Sequence, residues 1–130
     1  MKTITAAITS SHIMLQAPDF DASLEFYTEA LGFKTKYPVI DAQTGRWVEI
    51  ETPGVTIGLH EVMDKGTITP LPENAPRLGF NVDDLDAAKQ ELESRNVKFA
   101  PQGFETPAIR FAFFSDPAGN PCYLAQLIKN

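Results

Sequence analysis

Few residue types in this chain can do chemistry, and the position of each one limits what it can do. There are two histidines, His12 and His60, and one cysteine, Cys122. Imidazole is the side chain that binds a divalent metal or moves a proton near neutral pH. His12, which leads the stretch SHIMLQAPDF, is therefore the first candidate. Cys122 alternates away from Tyr123 along its strand and is expected to pack as a small hydrophobe rather than act as a nucleophile. The carboxylates Asp19, Asp21, Asp83 and Asp84 stand at helix starts, where the helix dipole accounts for them. No Ser–His–Asp arrangement and no glycine-rich phosphate loop is suggested. What remains is a group of polar and aromatic side chains: His12, Met14, Trp47, Glu49, His60, Arg77, Phe111, Phe113 and Tyr123. Arg77 is suited to grip a carboxylate or phosphate through its forked guanidinium; the other reading is that it neutralises Glu49 or Glu51. Trp47, Phe111 and Phe113 either line an aromatic cavity or seal an interface.

The elements that must position these residues emerge from a repeat. When HIMLQAPDFDASLEFYTEALG is set above RLGFNVDDLDAAKQELESRNV, His12 falls on Arg77, Leu15 on Phe80, Asp19 on Asp84, Asp21 on Asp86 and Ala22 on Ala87, without a gap. A second match joins RWVEIETPG, from Arg46, to RFAFFSDPAG, from Arg110. A period of half the chain is too long for a solenoid unit and predicts paired modules. Each half reads as strand, helix, then three strands. Residues 11–17 alternate as a strand does. Asp19 or Asp21 caps the helix that follows by accepting a free backbone N–H. Leu24, Tyr27 and Leu31 make its apolar stripe, and Gly32 gives it a left-handed stop. Strands are expected over 33–39, 46–51 and 55–62, and proline-rich residues 63–76 predict a linker. The second half repeats the order, with a strand over 78–82, a helix near 84–95, and strands over 98–101, 109–115 and 121–128. The fold class expected is α+β in a single domain over 1–130, with module one at 1–62, module two at 77–130, and mixed sheets curled around a cavity.

Alternation gives every strand two faces. Ile13, Leu15, Leu78, Phe80 and Val82 pack beneath helices. The opposite face carries His12, Met14 and Gln16 in one module and Arg77, Gly79 and Asn81 in the other, which is too polar for a second helix-packed core. Trp47, Phe111 and Phe113 stand opposite the core positions Val48, Ile50, Ala112 and Phe114. If these two faces curl toward each other, they enclose the place where a small molecule is expected to sit.

Two βαβββ modules, the pairing of Phe26-Tyr27 with Leu31-Gly32-Phe33, and the turn Asp116-Pro117 with Gly119-Asn120 carry a resemblance. The chain resembles the vicinal oxygen chelate superfamily, whose members include glyoxalase I, extradiol dioxygenases and bleomycin-resistance proteins. The resemblance covers nearly the whole chain and implies a homodimer. In the metal enzymes of that superfamily the ligands fall at the positions of His12, Gly58, Arg77 and Tyr123. Glycine has no donor, and arginine stays protonated and repels a cation. A phenol is a poor ligand for an ion not already held by others. The inherited metal site is thus expected to be dismantled, leaving no cofactor. The alternative is a rearranged site. His60 shares the parity of Gly58, and Glu49 faces inward with Trp47 and Glu51. His12, Glu49 and His60 would then hold one divalent metal ion as a two-imidazole, one-carboxylate set. Otherwise His12 is hydrogen-bonded on the wall and Glu49 pairs with Arg77 or Arg46.

Bulk properties narrow the partners. The length of 130 residues suits one domain, and 43% hydrophobic with 22% charged residues is ordinary for a globular protein. No apolar run approaches the roughly 20 residues of a bilayer span. The opening MKTITAAITSS has one lysine and no long apolar segment, so no signal peptide is expected. A single cysteine excludes an internal disulfide and fits the cytoplasm. A net charge of −6 with no basic run argues against nucleic acid. The function expected is binding of a small molecule, with metal-independent sequestration of a drug or metabolite as in bleomycin-resistance proteins. The alternative is a metal-dependent glyoxalase-like lyase, in which a cation polarises a substrate oxygen and a carboxylate moves the proton.

Overall fold

The alternating segments and capped helices take shape in a computed structural model that describes residues 8–63, 71 and 74–128. In chain order they are β1 (Ile13–Ala17), α1 (Phe20–Glu25), β2 (Lys34–Thr35), β3 (Ile40–Ala42), β4 (Gly45–Glu51) and β5 (Thr56–Glu61). There follow β6 (Leu78–Asn81), α2 (Leu85–Ser94), β7 (Phe104–Glu105), β8 (Ile109–Ser115) and β9 (Pro121–Leu127). One sheet has the order β1-β5-β4-β2, with β3 also pairing to β4, and the other has β6-β9-β8-β7. The strand that opens each half lies parallel to the strand that closes it, while the pairs within β2 to β5 and β7 to β9 are antiparallel. The repeat read in the sequence is therefore a repeat of topology. The fold is α+β, two βαβββ units with two open sheets.

The repeat extends to the caps. Asp19 accepts from Ala22 N at 3.1 Å and Asp84 from Ala87 N at 3.0 Å, so each satisfies a free N–H of a first helical turn. The neighbouring acids do something else. Asp21 pairs with Arg46 at 2.9 Å and Asp86 with Arg110 at 3.0 Å, tying each helix to its sheet. The fork of Arg110 holds the Asp86 carboxyl below its ordinary range. α1 runs into a wider, π-helical turn over Phe26–Ala30, where Leu31 N donates to Phe26 O at 3.0 Å. Gly32 then stops it at φ +78, and Asn96 does the same for α2 at φ +68, a conformation asparagine tolerates better than most residues.

Three segments differ from expectation. The strand expected over 33–39 pairs only at Lys34–Thr35, because Pro38 has no N–H to continue the ladder. β3 was not foreseen; a tight turn lays Ala42 against Gly45 and Ile40 against Trp47. The strand expected over 98–101 reduces to a bridge between Phe99 and Phe114, and the pairing with β8 is taken up by Phe104–Glu105. Most of the linker expected over 63–76 lies outside the described residues.

The helices lie between the sheets. One buried cluster centres on Phe20, Tyr27, Ile50 and Leu59, the other on Leu85, Phe114, Cys122 and Leu124. Phe26, Leu31, Leu78 and Phe80 pack against both, so the two cores are continuous. Tyr27 is fully buried, and its hydroxyl donates to Asp116 Oδ2 at 2.7 Å, from one module to the other. Burial, and then the adjacent Asp116 carboxylate, push the phenol pKa of Tyr27 up. The same carboxylate accepts from Ala118 N, Asn120 N and Asn120 Nδ2 at 3.0, 2.8 and 2.8 Å. The two sequence signatures, Phe26-Tyr27 and Asp116-Pro117 with Gly119-Asn120, are thus two halves of one latch. Joining the modules through their helix-bearing sides sends the polar and aromatic faces to the far sides of their sheets. The two mixed sheets expected of the modules are present, and each is open in a single chain. Among the described residues, no helix is long and apolar enough to cross a membrane.

Candidate functional site

Strand register fixes the outer face of the first sheet. Met14 lies beside Gly58 and Gly58 beside Glu49, while Gln16 lies beside His60 and His60 beside Trp47. His12, just ahead of β1, brings Nδ1 to 3.7 Å from Glu49 Oε1. Its ring meets Trp47 edge-on, with centroids 5.5 Å apart, and Trp47 also neighbours His60 at 6.4 Å. The indole reaches diagonally from the level of His60 across Gly58. A Cβ built on Gly58 would stand 2.2 Å from Trp47 Cη2, so only glycine leaves room for the ring. The indole is tethered there. Trp47 Nε1 donates to Tyr37 Oη at 2.6 Å, and Tyr37 Oη donates to Glu49 Oε2 at 2.7 Å. Partial burial, then the bond to Glu49, raise the Tyr37 phenol. Tyr37 was not among the expected site residues. Its only signal lies in the β2–β4 register, which continues as Lys36 N donates to Glu49 O at 2.9 Å and so delivers Tyr37 to this face.

The donors on this face do not fit a divalent ion. His12 and Glu49 come together, but the Trp47 indole fills the ground between them and His60. Glu49 is also engaged by Tyr37. Among the described residues no three of histidine, cysteine, aspartate and glutamate gather closely enough to hold a metal. Of the four positions that carry ligands in the related metal enzymes, Gly58 lies under an indole, while Arg77 and Tyr123 belong to the other sheet. What this face offers is a flat indole with an imidazole–carboxylate pair at its edge. Such a surface stacks on a planar molecule and hydrogen-bonds its rim.

The second sheet repeats the device with other residues. Tyr123 lies directly beside Gly79, and a Cβ on Gly79 would stand 2.4 Å from Tyr123 Cζ. Phe111 and Phe113 stand side by side on β8, their planes 12° apart, and each meets the Tyr123 ring edge-on at 5.3 and 6.3 Å. Phe104 flanks Phe111 at 5.9 Å. Arg77 places its guanidinium 5.6 Å over the Phe113 ring. It does not pair with Glu49 or Glu51, against one reading of the sequence, because those acids are on the other sheet. Arg46 does not reach Glu49 either; it is held by Glu61 and Asp21 at 2.9 Å each. Cys122 faces the core, where burial and then Asp116 push its thiol up to about 12, which leaves no thiolate for nucleophilic work.

A cavity of about 660 Å³ brings Met14 and Gln16 of the first face against Leu78, Asn120 and Pro121 of the second module, but its lining does not include Trp47, Phe111, Phe113 or Tyr123. A cleft of about 590 Å³ also opens between the modules, floored by apolar residues of the helix-bearing sides such as Phe33, Ile57, Leu78 and Phe80.

Comparison with known proteins agrees with this architecture. Residues 9–122 match the Glyoxalase/Bleomycin resistance protein/Dioxygenase superfamily. The chain is 32% identical over 129 residues to the uncharacterized protein YaeR of Escherichia coli (strain K12), covering 88% of this chain and 93% of that one. It superimposes on a glyoxylase/bleomycin resistance protein/dioxygenase domain from Frankia sp. EAN1pec with a TM-score of 0.76 at 24% identity, over 96% of both chains, which is a likeness of fold. It also superimposes on TnmS3, described as an antibiotic binding protein from Streptomyces sp. CB03234, with a TM-score of 0.66 at 29% identity, over 94% of this chain and all of that one.

Proposed function

This chain belongs to the Glyoxalase/Bleomycin resistance protein/Dioxygenase superfamily, and from that premise we propose that it binds and sequesters a small, planar molecule on its aromatic sheet faces without a resident metal. The observation that carries this reading is the Trp47 indole laid across Gly58. It occupies the ground a metal and its ligands would need and offers a stacking surface in their place. The likeness to an antibiotic binding protein supports binding over turnover. A homodimer belongs to this reading. Each face is open in a single chain, β1 and β6 each have one edge unpaired among the described residues, and Met14 on the outer face of β1 is 52% exposed. A second copy that sets its second sheet beside the first sheet of its partner closes the cavity from both. A buried, lone thiol suits the cytoplasm.

The test is a pair of titrations on the intact protein. Calorimetry with nickel, zinc, manganese and iron(II) is expected to show no binding tighter than about 1 mM, roughly −4 kcal/mol. Fluorescence of Trp47, the sole tryptophan, is expected to change on titration with planar aromatic compounds. Micromolar metal binding that disappears in His12→Ala would overturn the reading in favour of a lyase with a metal held by His12, Glu49 and His60.

A further inference from the structure

We propose that the ligand is an aromatic oxyanion, held on the outer face of the second sheet with its carboxylate on Arg77; this rests on the small-molecule reading above and names its chemical class. The chain has four arginines, and three are committed. Arg46 is held by Asp21 and Glu61, Arg95 by Glu91, and Arg110 by Asp86 and Glu105. Arg77 differs: among the described residues no carboxylate lies within ion-pairing distance of it, and it is exposed. Its one contact of note is the face of Phe113.

Its surroundings fit one kind of guest. By register, the strand positions on this face include Phe104, Phe111, Phe113, Tyr123 and Ala125, and none of them supplies a carboxylate. A protein of net charge −6 thus presents one largely aromatic face, with Asn81 and Ser115 as its uncharged polar positions and the Arg77 guanidinium at its lead. The ring over Gly79 brings the Tyr123 hydroxyl to β6, two positions along the strand from Arg77, with 2.5 Å between that oxygen and a Cβ built on Gly79. A flat aromatic body resting against Phe113 and Tyr123 would direct a ring carboxylate at the guanidinium fork, with the phenol as a second donor. A guanidinium already stacked on an arene accepts a carboxylate in two parallel hydrogen bonds without first breaking an internal ion pair. A cationic aromatic is repelled by the same group.

The experiment compares 2-naphthoate, 2-naphthylmethanol and 2-naphthylmethylammonium by calorimetry at low salt. The wild-type protein is expected to bind naphthoate at least tenfold more tightly than the alcohol, and the ammonium least tightly. In Arg77→Met the naphthoate and alcohol affinities converge; in Arg77→Lys part of the preference returns. Phe113→Ala weakens both the naphthoate and the alcohol. Equal urea midpoints for the two Arg77 variants establish that folding is not the cause. If the alcohol binds as tightly as naphthoate, or if the preference survives in Arg77→Met, the assignment to an oxyanion is wrong while the small-molecule reading stands. If none of the three binds, both fail.

Discussion

Replacing Gly58 by alanine tests the central feature of the first sheet. The added methyl would stand 2.2, 2.7 and 3.1 Å from Trp47 Cη2, Cζ2 and Cζ3. Carbon atoms rest near 3.5 Å apart, so the ring edge must retreat by about 1.3 Å. It cannot do so freely, since Nε1 is bonded to Tyr37 at 2.6 Å and Tyr37 to Glu49 at 2.7 Å. Either the ring stays and the strands spread, or it swings out and the hydrogen-bond chain breaks. Overpacking of this kind costs about 1–3 kcal/mol. Alanine recovers roughly 0.5–1 kcal/mol of the backbone entropy that glycine loses in a strand. The net loss is therefore about 1–2 kcal/mol, and the urea midpoint falls by about 0.5–1 M at ordinary slopes.

Because the chain has one tryptophan, its emission reports this event alone. The Gly58→Ala spectrum is expected to move to the red and to become more accessible to acrylamide. A cycle closes the argument. In a Trp47→Leu background, which removes the indole, Gly58→Ala is expected to cost nothing or to stabilise, leaving a coupling of about 1–2 kcal/mol. An additive cycle, with emission that overlays the wild type, refutes the claim that Trp47 lies across Gly58.

Other outcomes follow from the same contacts. Tyr27→Phe removes a buried bond to a carboxylate and should destabilise by about 1.5–3 kcal/mol; Asp116→Ala, which also leaves three donors of the turn that follows β8 without their acceptor, should cost more, and chemical denaturation checks both. Cys122 should resist a thiol reagent at pH 8 until urea unfolds the chain. Its folded pKa, about 12, exceeds the unfolded value near 8.5, so its contribution is complete below that value and fades as pH rises toward 12. Urea midpoints should thus fall more steeply above pH 9 in the wild type than in Cys122→Ala. Asp19→Ala and Asp84→Ala each remove a helix cap and should cost about 1 kcal/mol, whereas the twin change at an uncapped surface carboxylate such as Glu93 should leave the midpoint unmoved.

Which parts of this structure were legible in the sequence follows from how local each part is. Face parity and helix caps are settled within a few residues, so Leu15 and Phe80 pointed to the core and Asp19 and Asp84 to the caps, while Ile13, read by the same parity, stays 45% exposed. The repeat extended those readings to the second half and gave the same order of strand, helix and strands along the chain, though not the extra strand β3 of the first sheet. The mutual placement of the sheets is another matter. It is decided by contacts such as Tyr27 with Asp116, 89 residues apart, and by Phe26 against Phe114, which no local pattern encodes. Parity shows that a face is polar or aromatic; it does not show whether that face meets its counterpart or turns away from it. Gly58 marks the same boundary. The sequence shows a position without a metal donor, which reads as a loss. The geometry shows why the donor is missing: the neighbouring strand has placed an indole there, and any side chain at 58 would collide with it. Gly58 and Trp47 are thus one feature rather than two. Restoring a histidine at 58 alone would therefore displace the ring and disturb Tyr37 and Glu49 before it offered a ligand. Any route from this face to a metal site has to remove Trp47 first.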